Sequence, residues 1–133
     1  MAFAIKAAVA DPQAARFVFA AQKTMYGGKR IAAGDVVFVF ADGGLGLVAR
    51  GVVVSAEPAA RIAGVARQTP RVSVILRNTG RAARPLGRAE LAAFGDWTDG
   101  RPETELNFKF YRQATPKIVG LSPGAAAFLE GFF

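Results

Sequence analysis

The sequence predicts a mixed α+β domain, mainly β: one small barrel of short strands with two or three short helices. Three observations carry that expectation. The chain has 133 residues, a single-domain length at which about two thirds of the unfolded surface can be buried. Hydrophobic residues make up 52% and charged residues 20%, and 15 glycines and 7 prolines cut the apolar runs into strand-length pieces. Helical signals, by contrast, are few and short.

Met1 to Ala10 is apolar but lacks the basic start of a secretory signal, and Lys6 interrupts it before Asp11-Pro12 ends it, so it reads as a strand. Asp11-Pro12 suits one capped turn across Gln13 to Arg16. Arg16 to Ala20 (RFVFA) and Asp35 to Ala41 (DVVFVFA) are strands by their aromatic and β-branched content, the second introduced by the turn signal Ala33-Gly34. Asp42-Gly43-Gly44 is a hairpin turn into Leu45 to Ser55, a strand that Gly46 and Gly51 allow to bend around a barrel. Arg71 to Asn78 alternates, with Val72, Val74 and Leu76 on one face and Arg71, Ser73, Ile75 and Arg77 on the other. Arg88 to Phe94 suits two helical turns stopped by Gly95. Leu106, Phe108 and Phe110 alternate against Glu105, Asn107, Lys109 and Tyr111, the pattern of a further strand. Lys117 to Leu121 is a short last strand. Ser122-Pro123 then supplies an N-cap and a first-turn proline for a helix over Ala125 to Glu130, with Phe132 and Phe133 expected to pack back on the body.

Composition narrows the chemistry. Histidine and cysteine are both absent, which removes disulfides, thiolate nucleophiles, thiolate and imidazole metal ligands, and the Ser-His-Asp triad. No metal and no cofactor are expected. No apolar run approaches the roughly 20 residues of a membrane span, so the expectation is a soluble, cytoplasmic chain with no membrane partner. The net charge of +7 is unevenly placed. Between Arg61 and Arg88 stand seven arginines and no carboxylate, while the flanking segments nearly balance. A single-sign field of this kind attracts polyanions, of which nucleic acid is the commonest; a solubilising basic surface is the plainer alternative.

Four motifs bear on function. Gly44-Leu45-Gly46-Leu47-Val48-Ala49 matches the G-x-G-x-x-A dinucleotide fingerprint, but Val52-Val53-Val54 continues as strand where a helix should start, and Glu57 follows too soon. Gly27-Gly28-Lys29-Arg30 lacks the spacing of a phosphate loop, yet its amides and two cations suit a backbone phosphate as well as a plain turn. Asp96-Trp97-Thr98-Asp99 sets the only tryptophan between two carboxylates. Loop residues three apart do not ensure the carboxylate separation of a glycosidase, so Trp97 is either a core anchor or a stacking surface. Gln22-Lys23-Thr24-Met25-Tyr26, read as a loop, is the densest polar and aromatic cluster in the chain.

The run from Phe17 through Tyr26 to Ala33-Gly34-Asp35-Val36-Val37, followed by Leu47 to Ser55, resembles the first half of the PUA-like fold, above all its EVE and ASCH branches. Lys117-Ile118-Val119-Gly120-Leu121-Ser122-Pro123, leading into a helix with Phe128, is similar to the EVE ending. The resemblance covers most of the chain and implies a single PUA-like domain over residues 1–133. It also implies a nucleic-acid-binding module that takes a modified or flipped base of DNA or RNA into an aromatic pocket on the barrel. By position the pocket would hold Lys23, Thr24 and Tyr26, with Trp97 as a further stacking ring, while Lys29, Arg30, Arg71 and Arg77 would follow the phosphate backbone. The early tryptophan usual in EVE pockets is missing from Ala21 to Arg30, where Tyr26 is the only aromatic residue. The ASCH branch includes small amidohydrolases of modified nucleosides, for which Lys23-Thr24 would be the reacting pair with Glu57, Glu103 or Glu105. Adjacent residues on an extended segment point to opposite sides, so no catalytic residue is assigned and the binding module ranks above the enzyme. A protein-interaction module whose arginines meet an acidic partner is the third reading.

Overall fold

The computed structural model describes residues 1–133. Six strands, β1 (Ala2–Ala7), β2 (Arg16–Met25), β3 (Val36–Ala41), β4 (Gly46–Pro58), β5 (Arg71–Arg81) and β6 (Lys117–Gly120), close a barrel in the order β1-β3-β4-β5-β2-β6. The meander β3-β4-β5-β2 is antiparallel throughout. Closure comes from β1, parallel to β3 and antiparallel to β6, and from a short parallel pairing of Thr24 and Met25 with Ile118 and Val119. Three helices, α1 (Arg88–Leu91), α2 (Pro102–Asn107) and α3 (Pro123–Glu130), pack outside the barrel. A 3₁₀ turn spans Gly28–Arg30, and a π turn over Phe108–Arg112 continues α2.

Two hydrophobic layers explain which strands look unbroken in sequence. Phe3, Ile5, Val37, Val39, Val74, Leu76 and Ile118 fill the barrel, while Ala4, Phe38, Phe40 and Val119 lie in a second layer with Leu91, Leu106, Phe110 and Leu129. Strands β1, β3 and β6 are therefore buried on both faces, which favours continuous apolar runs over alternation. Each fully buried large side chain contributes about 1.5–3 kcal/mol. The helices leave β2 and β5 uncovered on the outside, where Val18 is 71% exposed and Arg16, Arg71 and Arg77 face solvent.

Two sequence expectations are overturned. The segment Leu106 to Tyr111 is helical, not a strand. Pro102 occupies its first turn, the Arg101 N–H and the Thr104 hydroxyl donate to Asp99 at 2.9 and 3.0 Å, and Lys109 pairs with Glu105 one turn back at 3.0 Å. Leu106 and Phe110, four apart, are both fully buried, so the period-two pattern was the coincidence of an i, i+4 pair with Phe108 between them. The π turn, closed by the Gln113 N–H on the Phe108 carbonyl at 3.1 Å, inserts the extra residue that buries Tyr111 beside Phe110. Second, Gln22 to Met25 is strand rather than loop. A bulge between Phe19 and Gln22, with Ala21 at φ 48° and its N–H on Ser73 Oγ at 2.8 Å, lets β2 continue to Met25.

Smaller differences concern helix signals. Asp11 closes a reverse turn through Gln13 N–H and Ala14 N–H instead of starting a helix, and α1 stops at Leu91. The Ser122 cap is as expected, its Oγ accepting from the Ala125 N–H at 3.1 Å. Phe132 is buried, and the Phe133 ring lies 5.9 Å from that of Phe38.

Candidate nucleic-acid interface

The uncovered face of β2 and β5 carries an unusual charge arrangement. In the strand register Arg16 stands directly opposite Arg77, and Lys23 directly opposite Arg71. Opposed residues project to the same side of a sheet, so a like-charged pair occupies each end of this face, with Val18 and Ile75 between them. None of these four cations belongs to an ion pair. Arg71 donates to the Ala21 carbonyl at 2.9 Å, fastening the bulge. Six residues along β5 separate the two pairs by about 20 Å.

Beyond the Lys23–Arg71 end the chain turns sharply. Tyr26 has φ 53° and Gly27 φ 80°; the left-handed conformation costs a tyrosine about 1–2 kcal/mol. The turn is held down on β6 by the Gly120 N–H on the Tyr26 carbonyl at 3.1 Å and by Gly28, which lies so close to the Ile118 backbone that no Cβ fits. Tyr26 remains 41% exposed, with its hydroxyl bonded to Gln113 Oε1 and the Lys109 ammonium 5.0 Å from its ring centre. A cleft of about 230 Å³ opens beside it, bounded by Thr24, Gly28, Lys29 and Pro70.

Lys109 also lines a neighbouring cleft of about 220 Å³ with Trp97, Arg101, Thr104, Glu105 and Phe108. Trp97 is 43% exposed and meets the Phe108 ring edge-on at 5.4 Å. Burial pushes the Glu105 carboxyl up, but the hydroxyl and N–H of Ser122 and the Lys109 ammonium outweigh it and hold Glu105 below its usual range. The cleft thus combines two aromatic walls, an ionised acceptor and two cations.

The structure places the sequence-predicted residues as follows. Tyr26 and Lys29 share one cleft, Trp97 lines the next, and Lys109 joins them. Thr24 is buried, with its hydroxyl donating to the Pro70 carbonyl at 2.7 Å. Lys23 neighbours Arg71 on the sheet face, Arg30 is exposed on the 3₁₀ turn, and Arg77 lies at the far end of β5. Neither Lys23 nor Thr24 is hydrogen-bonded to a carboxylate, and Glu105 is engaged by Ser122 and Lys109. Asp96 is occupied by the Thr98 N–H and hydroxyl and Asp99 by the Arg101 N–H and the Thr104 hydroxyl, and the Arg101 N–H holds Asp99 below the usual carboxylate range.

Sequence reading missed Lys109 and Phe108 as site residues because it placed them on a strand, and it named Glu105 only as a candidate carboxylate for the amidohydrolase reading. The i, i+4 Glu-Lys pair after a first-turn proline was the signal that would have found them. The arginine-rich segment is also dispersed, since Arg84 stacks on Phe132 at 3.9 Å and Arg88 lies over Tyr111 at 5.1 Å on the helical side.

Lys117, one residue before the Ile118 that pairs with Thr24, is fully buried in β6. Its ammonium donates to the carbonyls of Gln113 and Thr115, and burial, reinforced by Lys6 and Lys23, lowers its pKa to about 8. No helix is long and apolar enough to cross a membrane.

No protein-family model matches the chain, and no curated protein matches it in sequence. Solved structures do. The DUF55 domain of human thymocyte nuclear protein 1 aligns with a TM-score of 0.66 at 15% identity, over 98% of this chain and 97% of that one. Human THYN1 protein in complex with 5-methylcytosine-containing DNA aligns with a TM-score of 0.66 at 12% identity, over 98% and 95%. A Pseudomonas putida protein aligns with a TM-score of 0.66 at 11% identity, over 99% of both chains. At such identities the likeness is one of fold: the six-stranded barrel with its outer helices is the architecture these structures share with this chain.

Proposed function

We propose that this protein is a nucleic-acid-binding module that lays a phosphate backbone along the β2–β5 face and receives a modified, extruded base between Tyr26 and Trp97. The observation that carries the reading is the pair of opposed cations at each end of that face. Like charges directly opposite one another destabilise a sheet, and a polyanion laid across them converts that repulsion into attraction. Lys29 and Arg30 extend the cationic track around the Tyr26 turn.

Binding then has two parts with different physics. Phosphate contacts supply salt-dependent, sequence-independent affinity. A flipped base stacking on Trp97 or Tyr26 gains about 1–3 kcal/mol, offset by unstacking it from its neighbours. Glu105 Oε1, which accepts only from the Ser122 hydroxyl, keeps room for an exocyclic amine, as carboxylates accept from cytosine N4, while Lys109 and Arg101 donate to ring or phosphate oxygens. The DNA complex of THYN1, which shares the fold and contains 5-methylcytosine, supports a modified base as the ligand.

The test is a titration panel of single- and double-stranded DNA and RNA, carrying cytosine or 5-methylcytosine, at two salt concentrations. The expected result is salt-sensitive binding to all strands, with added preference for a modified base that disappears in Trp97→Ala. Binding that ignores salt, or a preference unchanged in both Trp97→Ala and Tyr26→Ala, would overturn the reading.

A further inference from the structure

On the helical side of the barrel, away from the cation-paired β2–β5 face, lies a cleft of about 470 Å³ that the nucleic-acid reading does not use. Lys6, Asp42, Arg88 and Tyr111 supply its polar groups, and Ala89, Ala92 and Ala114 its apolar walls. Tyr111 is only 7% exposed, and its buried hydroxyl has no hydrogen-bond partner. A shielded polar atom left unpaired costs stability, so such an atom calls for a partner. Burial raises this phenol to about 12, which keeps its proton in place for donation.

The surrounding charges indicate what that partner is. The Arg88 guanidinium lies 5.1 Å from the Tyr111 ring centre and belongs to no ion pair. Lys6 is 2% exposed, with its ammonium 5.4 Å from the same ring and donating to the carbonyls of Phe110, at 2.9 Å, and Ala114. Two carboxylates lie nearby. Asp42 stands 3.9 Å from the Lys6 ammonium and accepts from the Gly43 N–H at 3.0 Å; Glu90 accepts from the Gly87 N–H at 2.8 Å. Neither reaches Arg88 or the Tyr111 hydroxyl. A guanidinium with no ion pair and a phenol with an unpaired hydroxyl therefore line one cleft beside a desolvated ammonium, a donor set suited to an oxyanion with several acceptor oxygens.

We propose that this cleft binds a phosphate group between the Arg88 guanidinium and the Tyr111 hydroxyl, with the Lys6 ammonium as counter-charge beneath it. The phosphate is either inorganic phosphate or that of a mononucleotide, whose ring the alanine walls would accommodate. This site is independent of the Tyr26–Trp97 clefts, so each reading can fail without the other.

The experiment titrates the protein with inorganic phosphate and, separately, with cytidine monophosphate, following the amide resonances of Gly43, Gly44 and Ala89. Saturable shifts are expected, weakened about tenfold by Arg88→Gln and several-fold by Tyr111→Phe, and unaltered by Trp97→Ala. Tyr111→Phe removes only an unpaired hydroxyl, so it keeps the fold and remains a fair probe. Equal affinities would make inorganic phosphate sufficient, whereas tighter nucleotide binding would assign the walls to a nucleoside; both sustain the site. Absence of saturable shifts with either probe, or affinity untouched in both variants, would overturn it.

Discussion

Replacing Arg77 by glutamine should weaken nucleic-acid binding and at the same time make the protein more stable. Arg77 faces Arg16 across the β2–β5 pairing, and neither belongs to an ion pair. Relieving a directly opposed like-charge pair returns about 0.2–1 kcal/mol to the fold. In the complex the same guanidinium accounts for one phosphate contact, worth about 0.9 in the slope of log K against log salt on duplex and about 0.7 on a single strand. Four contacts on this face give a duplex slope near −3.6, so the variant should fall to about −2.7. Fluorescence anisotropy of a labelled oligonucleotide across a salt series reads the slope, and urea denaturation reads the stability. Arg71→Gln is the informative companion, because it also gives up the hydrogen bond to Ala21; its binding loss should match while its stability gain shrinks or vanishes. An unchanged slope in Arg77→Gln, or reduced affinity accompanied by reduced stability, would refute the argument that this repulsion is held for a polyanion.

Other outcomes follow from the same geometry. Trp97→Ala should stay folded, since the ring is 43% exposed, while losing about 1–3 kcal/mol of base preference in competition titrations. Thr24→Val removes the hydroxyl bonded to the Pro70 carbonyl and should cost about 1–3 kcal/mol of stability by leaving that carbonyl unpaired, with base preference intact in the same titrations. Gly28→Ala would drive a Cβ into the Ile118 backbone, costing about 1–3 kcal/mol by overpacking and shifting the amide resonances of the Tyr26 turn. Lys117, lowered from 10.5 to about 8 in the fold, binds fewer protons folded than unfolded between those values. Unfolding free energy should therefore rise with pH through that window, by up to about 3 kcal/mol. Denaturation of the wild type against Lys117→Met, on either side of the window, should show a smaller rise in the variant, where Lys6, also lowered by burial, still contributes.

Much of the architecture was legible because it rests on local patterns. The alternation of Arg71 to Asn78 placed both arginines on the outer face before any coordinates, and Ser122-Pro123 announced α3 through groups that act within one turn. The bulge at Ala21 was not legible, because it depends on a hydrogen bond to Ser73, 52 residues away. Without it Gln22 to Met25 reads as a loop, and the cross-strand meeting of Lys23 with Arg71 is invisible.

The sequence by itself determined the barrel class, the basic character, the exclusion of histidine and cysteine chemistry, and Tyr26 and Trp97 as rings outside clear core patterns. Tertiary structure alone decided which charges meet. Seven arginines between Arg61 and Arg88 looked like one patch in the chain, but strand pairing sent Arg71 and Arg77 to the open sheet and left Arg84 and Arg88 stacked on rings of the helical side. It also turned Leu106 to Tyr111 from an expected strand into the helix whose Lys109 joins the two aromatic clefts. The physical reason is that side-chain period is a local property, whereas a site is made by register and by closure of the barrel, which bring together residues far apart in the chain.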